Sequence, residues 1–119
     1  HYYQFNDDDG GPSYIDGGNI HVLDAASYMD DFDWSNPPLA IAGGHGYAGV
    51  LEPGSALEGQ LAFSDDENPG LLRVTYAMVD PSWIGDPDGI RLGFAASSND
   101  TTSPKRGWMV DEVILIGYE

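Results

Sequence analysis

Cysteine is absent from this 119-residue chain, which excludes a disulfide framework, a thiolate metal site and a cysteine nucleophile. Basic side chains are almost as scarce. Four Lys and Arg stand against 20 Asp and Glu, for a formal net charge of −16, and no Lys or Arg precedes Arg73. Such a field repels phosphate backbones and anionic lipid surfaces, so neither nucleic acid nor an acidic membrane is expected as a partner. Apolar runs are only a few residues long, and nothing in the chain is long enough to cross a bilayer as a helix. The Gly-x-Ser-x-Gly elbow of serine hydrolases is missing as well. With 20 acids present, a pair of carboxylates suited to glycoside cleavage carries no information. No catalytic machinery is recognisable, and a non-enzyme is expected.

Turn formers and short alternating segments are abundant. Sixteen Gly and eight Pro punctuate the chain, and the stretches between them show the two-residue period of half-buried strands. Candidate strands are Tyr2–Phe5, Ile20–Leu23, Leu39–Ala42, Tyr47–Leu51 and 56–63, followed by 71–79, 90–96 and 108–116. In 56–63, Leu57, Gly59, Leu61 and Phe63 share a face. In 71–79, Leu72, Val74, Tyr76 and Met78 oppose Arg73, Thr75 and Ala77. The last strand is apolar on both sides and should be buried on both. Helical periodicity is absent, apart from one or two turns that Asp24–Asp33 would tolerate. Asn68-Pro69-Gly70 and Asp86-Pro87-Asp88-Gly89 are turn sequences. This pattern predicts a single all-β domain, an antiparallel β-sandwich of the jelly-roll type with about eight strands.

The acids cluster at Asp7-Asp8-Asp9, at Asp30-Asp31 with Asp33, at Asp65-Asp66-Glu67, at Asp86 with Asp88, and at Asp111-Glu112. None has the EF-hand spacing. The acidity fits three readings: divalent cations, a salty habitat, or a surface kept soluble by self-repulsion. At the C-terminal end, Gly107-Trp108-Met109-Val110-Asp111-Glu112-Val113 resembles the closing Gly-Trp-x-Val-Asp-x-Val strand of extracellular jelly-roll modules. These include carbohydrate-binding modules, accessory domains of secreted peptidases and surface-anchor-type domains. The resemblance implies that the closing strand lies beside the opening one. It further implies that Asp111 shares a structural calcium ion with Asp7 or Asp9. Met109 and Glu112 depart from the usual Tyr and second Asp. Physical chemistry points the same way, because a carboxylate buried among Val, Ile and Leu needs a cation or several donors. Capping of a loop amide is the alternative role for Asp111.

Three histidines raise the question of copper or zinc, for which His1 would need His21 or His45 close by; nothing in their spacing forces that. Trp83 and Trp34 lie in loop-like contexts beside acids and amides. There an exposed indole stacks on a sugar ring, and a buried one plugs the end of a sandwich. Trp108 belongs to the core strand. Asn99-Asp100-Thr101 is an N-glycosylation sequon in the most polar loop. The sequence opens at His1 without an initiator Met, as does a mature chain that has lost its signal peptide; a trimmed chain looks the same.

Two uses follow for a secreted or cell-surface module. The first is a non-catalytic structural or adhesive subunit that assembles with copies of itself into filaments or matrix. Residues 1–11 would serve as an arm that adds a strand to a neighbour, with calcium as stabiliser. The second is a carbohydrate-binding module that holds a glycan through Trp83 and Trp34.

Overall fold

The computed structural model describes residues 1–5, 14–24, 36–64, 72–80, 90–98 and 107–117. Among them there is no helix and there are eight short strands: β1 (Tyr2–Gln4), β2 (Gly17–Asp24), β3 (Ile41–Gly44), β4 (Gly49–Val50), β5 (Leu61–Ala62), β6 (Thr75–Ala77), β7 (Ile90–Ser97) and β8 (Gly107–Met109). The chain is all-β in this sense. Its strands form antiparallel pairs, β1 with β8, β2 with β7, β3 with β6 and β4 with β5.

Further hydrogen bonds connect the pairs. Gly18 N donates to Phe63 O at 2.9 Å and Phe63 N to Gly18 O at 2.7 Å, which ties β2 to the end of β5. The main-chain nitrogen of His1 donates to Arg73 O at 2.7 Å, and Arg73 N to His1 O at 2.6 Å, which ties β1 to the run entering β6. Tyr47 adds a side-chain staple. Its hydroxyl donates to Leu39 O at 2.9 Å and receives Ile20 N at 3.3 Å. Burial pushes its pKa up, and the backbone bond from Ile20 only partly offsets that.

The core has two parts. One gathers Tyr3, Phe5 and Phe63, with Ile20, Ile41, Tyr47 and Trp108 packed against them; the other gathers Leu51, Leu57, Ala62 and Ala95, with Tyr14. Phe63 is fully buried and has Tyr47, Tyr3 and Trp108 at centroid distances of 4.6, 5.6 and 5.7 Å. Strand β2 runs between the two parts. A Cβ at Gly17 would meet Leu51 and Ala62, and one at Gly18 would meet the Trp108 ring. The strand covered on both faces is therefore β2.

The last strand is shorter and more open than its pattern predicts. Strand β8 ends at Met109, and Val113, Ile114, Leu115 and Ile116 are between 52 % and 70 % exposed. The 56–63 segment also differs, because only Leu61–Ala62 is strand. Two successive turns, Glu58 N to Ser55 O and Gln60 N to Leu57 O, occupy the rest. Gly59 sits there at φ 76°, in the left-handed region that glycine tolerates best. Leu57 is buried, but as the plug of a turn. The Asp24–Asp33 turns fall, beyond Asp24, outside the described residues, as do 65–71 and 81–89.

Candidate functional site

Strand β6 and its flanks are the feature that an ordinary folding argument does not explain. Leu72, Val74, Tyr76 and Met78, the apolar set of the alternation, are 69, 62, 63 and 77 % exposed. The opposing Arg73 and Thr75 are the more covered pair. The pattern that normally turns apolar side chains inward is reversed.

The reversal has a local cause on the inner side. Trp108 Nε1 donates to His1 Nδ1 at 3.2 Å. Indole N–H is a donor only, so Nδ1 accepts and the His1 proton sits on Nε2. Nε2 then donates to Thr75 Oγ1 at 2.8 Å, and the Thr75 hydroxyl donates in turn to His45 O at 2.6 Å. Tyr3 and His45 share a 2.6 Å hydrogen bond between hydroxyl and Nε2. His45 N also donates to Val74 O at 2.8 Å. The inner face of β6 is thus bound to β1, β8 and the end of β3 through Thr75. Apolar neighbours at 74 and 76 must point the other way, because successive side chains alternate.

This network brings together two of the three histidines. The His1 and His45 rings lie 6.1 Å apart at their centroids, both packed on Phe63. His1 is hydrogen-bonded to Trp108 and Thr75, and His45 to Tyr3. His21 is elsewhere, buried on β2, with Nε2 2.6 Å from Asn19 Oδ1. Asn19 Nδ2 donates to Gln60 Oε1 at 3.0 Å and to Leu61 O at 3.1 Å, so its amide orientation is fixed and His21 Nε2 is the donor. Burial lowers the His21 pKa. Among the described residues no group of three or more His, Asp or Glu gathers to hold a metal ion.

Of the residues expected to bind calcium, hold a glycan or carry glycosylation, Asp111 is the one described. It follows β8 and stands exposed, so the cost of a buried carboxylate does not arise there. The β1–β8 register, Tyr2 with Met109 and Gln4 with Gly107, sends Phe5 and Asp111 away from opposite ends of the pair. Asp7, Asp9, Trp34, Trp83 and Asn99 lie outside the described residues. Of the expected N-terminal arm, residues 1–5 lie in the chain's own fold, where Tyr3 and Phe5 are buried; residues 6–11 are outside the described set. Thr75, Tyr47 and Asn19 were not foreseen as organising residues. Each depends on at least one partner 27 to 74 positions away, which no local pattern encodes.

Compared with protein-family models, curated proteins and solved structures, the chain matches none.

Proposed function

We propose that this chain is a non-catalytic structural or adhesive β-sandwich subunit of the extracellular kind, one that assembles with copies of itself. The observation that carries the reading is the outward apolar face of β6. Four neighbouring side chains, Leu72, Val74, Tyr76 and Met78, present on the order of 500 Å² to solvent, at the upper end of the patch a soluble monomer carries. The largest apolar patch on a soluble protein is often a functional one.

The strand wiring supports a jelly-roll sandwich as the framework. Pairing of first with eighth, second with seventh, third with sixth and fourth with fifth describes one long antiparallel hairpin folded over itself. The bonds from Gly18 to Phe63 and from His1 to Arg73 join these pairs into two groups, β7-β2-β5-β4 and β8-β1-β6-β3. Contact of Trp108 with Gly18 sets one group against the other. The closing strand lies beside the opening one, as in the modules that the Gly107–Val113 motif resembles.

Assembly by release of β1 is the less favourable route, since it would withdraw Tyr3 and Phe5 from the core and break the His1 network. A surface already exposed associates without that loss. Negative-stain electron microscopy of the concentrated protein tests the reading. Filaments or regular multimers are expected, and a field of uniform single molecules at every concentration would contradict it.

A further inference from the structure

We propose that residues 113–117 of one copy lie along the outward face of β6 in a second copy and join the molecules head to tail. This deepens the self-assembly reading above and rests on it.

Both surfaces are apolar and open in the same molecule. Val113, Ile114, Leu115 and Ile116 are each more than half exposed, and so are Leu72, Val74, Tyr76 and Met78. The segment therefore does not cover its own β6. No main-chain hydrogen bond links 110–117 to another described residue. Such a run is a liability in isolation and a ready strand for a partner. As a strand it has two apolar faces, Val113 with Leu115 and Ile114 with Ile116, the composition of an element covered on both sides.

Charge selects the partner. With −16 per chain, two copies repel over most of their surfaces. Contact is favoured only where carboxylates are absent. Residues 113–117 contain no ionisable group, and the outward set on β6 contains none beyond the Tyr76 phenol. The two surfaces also match in scale, four apolar side chains alternating along Leu72–Met78 against the four of Val113–Ile116. With one face of the segment laid on β6, the two surfaces would bury roughly 750 Å², the size of a weak, reversible contact. Because the contact joins different surfaces of identical molecules, it is heterologous and extends as an open chain unless the rotation closes it.

The absence of cysteine gives a clean background for a direct test. Two single variants, Val74→Cys and Ile114→Cys, are mixed under mild oxidation, and the assembly state of wild type is followed in parallel by sedimentation. The expected product is a mixed disulfide dimer, at least several-fold in excess over either variant's self-linked dimer. Preferential self-linking of Val74→Cys would mean that β6 faces pair with each other, and would overturn the contact. So would a Val74→Cys/Ile114→Cys double variant that closes within single chains. A wild type that assembles without any mixed disulfide would overturn this contact and leave self-assembly standing. A wild type that stays monomeric at all concentrations would overturn both.

Discussion

A methyl group at Gly18 would lie 2.6 Å from the Trp108 ring and 2.9 Å from Ala95 O. One neighbour is a ring packed in the core and the other is backbone, so neither yields cheaply. Gly18→Ala is expected to lose about 1–3 kcal/mol in urea unfolding; an unchanged midpoint would mean that β8 does not pack on β2. Ser55 predicts the opposite sign. Its hydroxyl is buried and has no hydrogen-bond partner among the described residues, so Ser55→Ala should be neutral or stabilising by up to about 1 kcal/mol. A clear loss of stability would reveal a partner for that hydroxyl. His21 supplies a pH dependence. In the folded chain burial depresses its pKa, while in the unfolded chain the ring protonates as pH falls through the ordinary value of 6.5. The unfolded state then binds more protons, so this contribution to stability is complete above that pH and is lost as pH falls below it. His21→Asn keeps a donor for Asn19 and removes the titration. Wild type should therefore lose stability relative to this variant between pH 7 and pH 5, and a constant difference would contradict a buried neutral imidazole.

Tyr47 acts between elements. Its hydroxyl serves both Ile20 N and Leu39 O, so Tyr47→Phe strands two main-chain groups and should cost about 1–3 kcal/mol. A change below half a kcal/mol would show that the staple carries no weight. At this scale the sequence was legible where alternation and burial agree. Strands β1 and β7 match the segments read from Tyr2–Phe5 and 90–96 to within a residue, and β2 contains Ile20–Leu23 but begins three residues earlier, at Gly17. Alternation misleads at 56–63 because Gly59 adopts a positive φ and turns interrupt the period. It misleads differently at 72–78, where the period is real but its direction is reversed by Thr75. Hydrogen bonds to His1 and His45, 74 and 30 residues away, set that direction. Residue types along β6 show two faces and do not say which one is inside. The same holds at 113–116, whose two apolar faces read as doubly buried and stand exposed. Of the candidate site residues, Asp111 could be weighed as a carboxylate that burial would make costly. Its exposure removes that premise.

For the whole molecule, charge and apolar exposure oppose each other. A net charge of −16 keeps copies apart at low ionic strength, while the faces at 72–78 and 113–116 favour contact at short range. Salt shortens the Debye length from roughly 30 Å at 0.01 M to about 10 Å at 0.1 M, so it weakens the repulsion and leaves the apolar contact intact. Added salt should therefore drive association, the reverse of its effect on an assembly held by ion pairs. Sedimentation velocity over a concentration series, repeated from low to near-molar sodium chloride, measures this directly. The prediction is a sedimentation coefficient that rises with protein concentration and rises further with salt; a single monomeric boundary under all these conditions would contradict it.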